Sequence, residues 1–371
     1  MSMGGQNMIT KLYVESYRGI HDLDLGELGK VNIIAGANNT GKTSLLEIIQ
    51  SLKAPCKLQS WRLVGKREEN DIYRATNVYD TMKTLFPVDT GIDENVIKYQ
   101  VVNDGEEYQI ELVKEISEVL ITEKQLDEAT GWLSVGRGNA KYNNMEYEAK
   151  VMEIQYKING ELSGEDLIYS IQTGIGKAKA NNKSIVENIV YISPTQHARN
   201  TFFLDAVLKN PELYEQFVDI MRQFDPYFLS INSIEEGAMG RKYVVLSKNH
   251  SEGLLLNAYG DGMKKAMLLL SAVIRAQNGI LLLDEFETAI HVSAMENVFR
   301  WILKIAEQLN VQIFMTSHSI EAIKTVLKCY PELQHDIRML TLVKVQDKLK
   351  VRNVDGEKAV QLADEYGLEL R

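Results

Sequence analysis

Apolar positions along this chain switch between a period of two and a period near 3.6, and the switches mark out its elements. "KLYVESYRG" and "KVNIIAGA" read as strands, the second almost wholly apolar, as a buried strand should be. "GKTSLLEIIQSL" then takes a helical period, with Leu45, Leu46, Ile49 and Leu52 along one side. Residues 55–130 are mixed. Within and beyond them "VIKYQVV", "YQIELVKEI" and "KVMEIQYKI" alternate as strands of an antiparallel sheet, with "NDGE" and "NGE" as hairpin turns. "ENIVYISP" is a further strand, halted by Pro194.

From Phe202 the rhythm is helical through "FLDAVLKNPELYEQFVDIMRQFDP", then passes through "RKYVVLSKN" to "NAYGDGMKKAMLLLSAVIRAQN". An apolar strand "GILLLDE" follows, then a helix "VSAMENVFRWILKIAEQL", a strand "VQIFMTSHS" and a helix "IEAIKTVLKCY". "MLTLVKVQDKLKVRNVD" closes as a hairpin before a polar helical tail. No internal repeat, low-complexity tract or sustained heptad pattern is present. The pattern therefore predicts an α/β fold with an antiparallel β subdomain and a helical one.

Composition changes this picture little. The chain has 371 residues, 45% of them hydrophobic and 25% charged, and no apolar run nears the roughly 20 residues that span a bilayer. "MSMGGQNMITKLYVESY" lacks a secretory pattern, and two distant cysteines, Cys56 and Cys329, without metal-ligand spacing suit a reducing cytoplasm as buried thiols. The net charge of −10 excludes nucleic-acid binding through the average field. Any such contact needs a local basic patch. "GIGKAKANNK", with Lys177, Lys179 and Lys183, is the candidate, and a solvated loop is the alternative reading.

"GANNTGKT", Gly36 to Thr43, fits G-x-x-x-x-G-K-[ST] between a strand and a helix. Gly36 and Gly41 let the backbone of Asn38, Asn39 and Thr40 turn its N–H groups toward phosphates, and the helix start at Ser44 adds partial positive charge. Lys42 would sit between the outer phosphates, and the Thr43 hydroxyl would ligate Mg²⁺. A second block supplies acids. "ILLLDE" ends an apolar strand on Asp284, expected to hold Mg²⁺ through water. Glu285, expected to point the other way, would polarise the water attacking the terminal phosphate. His318 in "FMTSHS" follows the next strand and would reach the terminal phosphate; His291 in "FETAIH" is an interface or positioning group.

These motifs together resemble the ATP-binding-cassette class of ATPase, in its RecF/SMC-like branch. "NAYGDGMKKAMLLLSAVI" is similar to that class's signature segment, with its turn at Gly260, Asp261 and Gly262 and Tyr259 where serine is common. The resemblance implies a P-loop NTPase head binding ATP and Mg²⁺. It also implies two heads packed head-to-tail, each signature capping its neighbour's ATP, because loop and signature lie far apart on one protomer. A lobe of about 8–195, carrying an inserted segment 51–185, and a lobe of about 196–371 are expected.

The match narrows further. "YRGIHDLDLGELGKVNIIAGANNTGKTSLLEII", "AYGDGMKKAMLLLSAVIRAQNGILLLDEFETAIH", "VQIFMTSHSIEAIKTV" and the tail "DEYGLELR" resemble the AAA-family ATPases grouped with the OLD (overcoming lysogenization defect) proteins. By that resemblance Arg18 lies near the nucleotide, and Gln196 of "ISPTQHAR" is a candidate sensor of Mg²⁺ and the terminal phosphate, a plain turn being the alternative. The 53 residues after His318 offer no acid cluster for a Toprim nuclease. The implied function is an ATP-dependent dimeric switch acting on a separate effector, such as a Toprim-like nuclease, in prokaryotic anti-phage defence. The alternatives are a DNA-repair ATPase clamping duplex DNA, mildly favoured by Lys177–Lys183 and Arg137, and a transporter motor with a membrane partner.

Overall fold

The computed structural model describes residues 8–65, 77–87, 95–125, 146–171, 183–199, 202–235, 241–288, 290–346 and 348–365. Lys177, Lys179, Arg137, the first seven residues and most of "DEYGLELR" lie outside them. Lys183 lies within them, its ammonium 5.8 Å from the centre of the Tyr108 ring.

The chain opens with a hairpin, β1 (Ile9–Tyr17) and β2 (Ile20–Glu27), turning at Arg18 and Gly19. The alternating pattern runs on through "YRG", but Arg18 takes a φ of 50°, which ends the strand there. β3 (Val31–Gly36) is buried at every position and feeds α1 (Lys42–Ser51). The mixed region begins with α2 (Leu58–Gly65) and α3 (Val78–Lys83), which its uneven pattern concealed. β4 (Val96–Asn103), β5 (Glu106–Thr122), β6 (Glu146–Ile158) and β7 (Glu161–Tyr169) then form the expected meander. Its tight turns place Asp104 and Gly105, and Asn159 and Gly160, all at positive φ, as the "NDGE" and "NGE" signals require.

β8 (Ile189–Ile192) precedes a 3₁₀ turn, Gln196–Arg199. The helical stretch after Phe202 divides into α4 (Leu204–Leu208) and α5 (Pro211–Phe224). Asn210 accepts from the Leu213 amide and Pro211 starts the second helix, so the sequence breaks and recaps there. β9 (Phe228–Glu235), β10 (Arg241–Ser247) and the short β11 (Leu254–Leu255) lead into α6 (Asp261–Arg275). β12 (Ile280–Leu283), α7 (Val292–Gln308), β13 (Gln312–Ser317) and α8 (Ile320–Cys329) follow. β14 (Ile337–Val345), β15 (Lys348–Asp355) and α9 (Gly356–Glu365) complete the described chain.

Among the described residues the strands form a six-stranded antiparallel sheet β2-β1-β4-β5-β6-β7, a three-stranded sheet β11-β10-β9, and a central sheet β15-β14-β3-β13-β12-β8. In the central sheet β14, β3, β13, β12 and β8 run parallel. Alternate residues feed two cores. Ile33, Leu281 and Ile313 join the helical side, while Ile34, Leu282 and Phe314 join the side of α1 and the antiparallel sheet. A strand buried on both faces reads as a mainly apolar run, and these do, with Asn32, Gln312, Thr316 and Ser317 as buried polar exceptions. The buried Gln312 carboxamide bonds the Ile9 amide, the Ile9 carbonyl and the Gly29 carbonyl, fixing the first strand to the central sheet. Both cysteines are buried, and burial pushes the Cys56 thiol up to about 11.

Strand order decides what meets. β13 lies between β3 and β12, so the C-terminal ends of three strands bring Gly36–Ser44, Asp284–Glu287 and Ser317–His318 to one edge.

Candidate functional site

The loop after β3 needs its glycines. Gly36 has φ 153° and Gly41 φ 92°, with Asn39 between them at 62°. A Cβ at Gly36 would stand 2.9 Å from both the Leu342 carbonyl and the Thr40 hydroxyl, and one at Gly41 would stand 3.1 Å from Ile20. Thr40 donates to the Ala37 carbonyl, and the Lys42 ammonium donates to the Gly36 and Ala37 carbonyls, both at 2.9 Å. Burial holds the Lys42 pKa below its ordinary value, while Glu285, Asp284 and Glu287 act against that shift. Gly41 supplies no side-chain cap and α1 has no acid in its first turn. The helix thus begins with amide hydrogens unclaimed by side chains, which is where an anion binds.

Two cavities adjoin this loop. The smaller, about 210 Å³, is lined by Asn38 through Ser44 with Asp284 and Glu285. The larger, about 940 Å³, shares Asn39, Thr40, Gly41 and Ser44 and adds Arg18, His21 and the hairpin lysines Lys344, Lys348 and Lys350. Arg18 is firmly positioned there. Its Nε lies 2.9 Å from the Glu47 carboxylate of α1, Tyr17 donates to the same carboxylate at 2.8 Å, and the Arg18 amide donates to the Leu85 carbonyl.

At the acid end, Asp284 receives hydrogen bonds from three hydroxyls: Thr43 at 3.0 Å, Thr316 at 2.6 Å and Tyr191 at 3.2 Å. Thr43 and Asp284 are therefore in direct contact although 241 residues separate them. Glu285 lines the same cavity. β12 ends at Leu283, and Glu285 takes φ 44° with its amide donating to the Thr316 hydroxyl, so strand alternation no longer applies. His318 is half-exposed and bonded to Glu287, with Nδ1 3.2 Å from the carboxylate.

The remaining candidates lie elsewhere. Gln196 folds back so that its carboxamide oxygen accepts from the Ser193 amide, and it lines neither cavity. His291 caps α7, accepting from the Ser293 amide. Gly260 is the N-cap of α6, with φ −64° and open space where a Cβ would stand. Asp261 is exposed and pairs with Lys264 at 2.7 Å, which lowers its pKa. The Tyr259 hydroxyl is buried without a hydrogen-bond partner among the described residues. None of Gly260, Asp261 and Gly262 lines the two cavities of its own chain.

Sequence reasoning missed Tyr191, Thr316, Glu287 and Glu47. The available signal was modest: a hydroxyl inside an otherwise apolar strand ("IVYI", "QIFMTS") and an acid on the buried side of α1 ("LLEII"). Each needs a polar partner in the core, and here the partners are Asp284 and Arg18.

The family described as "AAA domain, putative AbiEii toxin, Type IV TA system" matches residues 144–324. A Helicobacter pylori protein named ATP/GTP phosphatase is 24% identical over 340 residues, which is 85% of this chain and 87% of its own. The Smc head domain with an extended coiled coil, bound to the C-terminal domain of ScpA derived from Pyrococcus furiosus, superposes with a TM-score of 0.52 at 11% identity, covering 97% of this chain and 99% of its own. A second Smc head, bound to the C-winged helix domain of ScpA, gives 0.51 at 13% identity over 95% and 99%. The fold is that of the Smc heads, a P-loop head of the ABC type, and residues 144–324 are similar to the AAA-domain family.

Proposed function

We propose that this chain binds ATP with Mg²⁺ in the two joined cavities, hydrolyses it, and switches between separate and paired heads as it does so. The observation that carries the reading is the convergence of Lys42, Thr43, Asp284 and Glu285 on one cavity of about 210 Å³. Loop amides and Lys42 would take the phosphates, and the larger cavity at Arg18 would take the nucleoside. Thr43 and Asp284 are hard oxygen donors in contact, and no cluster of three or more His, Cys, Asp or Glu ligands exists among the described residues. That donor set fits Mg²⁺, which keeps water and phosphate oxygens in its shell; when bound it neutralises phosphate charge. Glu285 orients the attacking water.

Pairing is supported by Gly260. Its φ is ordinary and its surroundings are open, so its own fold does not require glycine there. A second copy's phosphate would require it, approaching Gly260, Asp261 and Gly262 at the start of α6. The OLD-like resemblance and the toxin–antitoxin family description favour a role in defence with a separate effector, such as a Toprim-like nuclease. The Smc heads that share the fold bind ScpA domains, which supports a protein partner for this head.

Purified chain should release phosphate from ATP, with specific activity rising with protein concentration. Activity independent of concentration in a proven monomer would exclude the composite site.

A further inference from the structure

The acid pair is followed by a third carboxylate, Glu287, that neither motif assigns. It lies in the turn after β12, beside the end of β13, and spends one oxygen on a single neighbour segment. Oε1 accepts from the Ser317 hydroxyl at 2.8 Å and from the His318 amide at 3.1 Å, and lies 3.2 Å from His318 Nδ1. The Glu287 side chain is only 12% exposed, whereas that of His318 is 54% exposed. Oε2 is buried with no hydrogen-bond partner among the described residues. A buried carboxylate needs compensation, and a buried cation supplies some. Lys265 of α6 is enclosed, donates to the Pro194 carbonyl at 3.4 Å, and is pushed down to about 8 by burial, with Glu287 first among the acids opposing that shift.

We propose that Glu287 is the positioning residue for His318, holding the imidazole by Nδ1 so that Nε2 is the nitrogen offered to the terminal phosphate or its attacking water. This rests on the nucleotide-hydrolysis reading for its purpose, though not for its geometry. In the neutral ring a carboxylate 3.2 Å from Nδ1 favours the tautomer with its proton on that nitrogen, which leaves Nε2 its lone pair. In the doubly protonated ring the attraction of Nδ1–H to Glu287 is stronger, so the same nitrogen is left for the nucleotide in either state. The contacts to Ser317 and the His318 amide fix the backbone that carries the ring, so position and direction come from one oxygen. A group oriented through a partner matters in catalysis because misplacement by about 1 Å can lower a rate 10²-fold.

The test reads the ring directly. Nitrogen-15 spectra of the imidazoles, with His318 identified by its loss in His318→Asn, should show a protonated Nδ1 in the native chain at neutral pH. Glu287→Ala should lose that signature, whereas Glu287→Gln, whose carboxamide oxygen accepts the same bonds, should keep it. In turnover, Glu287→Ala should lower kcat by on the order of 10- to 100-fold with KM changed less than about threefold. The loss should vanish in a His318→Ala background. Persistence of the Nδ1–H form in Glu287→Ala, or an equal loss of rate with and without His318, would overturn the proposal. If the native chain hydrolyses no ATP, the functional reading fails and the spectra alone still decide the role of Glu287.

Discussion

The phosphate loop and the turn before α6 are both glycine-marked approaches to a helix N-terminus, yet their glycines answer to different demands. Gly36 and Gly41 are required from within: each has a left-handed φ, and added side chains would strike Leu342 and Ile20. Gly260 has an ordinary φ and open space. The first helix start is lined with a lysine and two acids of its own chain, while the second presents an exposed Asp261 paired with Lys264. A half-site that is complete in one chain is over-determined by that chain. A half-site completed by another copy, as proposed for the turn before α6, would not be.

The comparison is broken most forcefully at Lys42. Lys42→Ala should weaken ATP binding by on the order of 10²–10³-fold in the isolated chain, read by calorimetry, because a buried charge partner of the phosphates is removed. Retained affinity would show that the loop is not the grip. Glu285→Gln should keep ATP affinity while lowering turnover by on the order of 10²-fold or more, and paired heads should accumulate in light scattering. Wild-type turnover in that variant would end the assignment of Glu285.

Lys265 sharpens the second region. Its folded pKa, about 8, lies below its unfolded 10.5, so it binds its proton more weakly folded than unfolded. The folded state is therefore penalised at and below pH 8, and the penalty fades as pH rises from 8 to 10.5. Lys265→Met removes this dependence, so wild type should gain roughly 1–3 kcal/mol on that variant between pH 7 and pH 10, whatever the gap at pH 7 left by the loss of Glu287's cation. A gap constant with pH would refute the burial of a charged ammonium. The smallest effect separates the glycines. Gly41→Ala should cost roughly 1–2 kcal/mol of stability, whereas Gly260→Ala should change it by only a few tenths and act on ATP-dependent pairing instead.

The sequence exposed what is local. β3 and the loop are contiguous, and "ILLLDE" and "FMTSHS" carry their acid and histidine at strand ends, so period and spacing suffice. β9 was not legible as a strand, because "FLSINSIE" mixes polar residues into a small sheet open on one face. The site's supporting contacts were illegible for another reason. Glu47 to Arg18, Tyr191 to Asp284 and Glu287 to His318 join segments 29 to 93 residues apart, and one sequence carries no record of such pairings. At Glu285 the backbone leaves the strand: its φ of 44° ends the alternation that the apolar run suggested.

The interleaving of β13 between β3 and β12 also sets a schedule. Thr43 emerges from synthesis 241 residues before Asp284, the carboxylate it touches. At roughly 5–20 residues per second, the loop waits on the order of 10–50 s for its acid. The last strand to pair beside the loop, β14, arrives later still. Competence for phosphate chemistry is thus among the final things this polypeptide acquires, and a nascent chain stopped anywhere before residue 284 carries a cradle with nothing to act on what it holds.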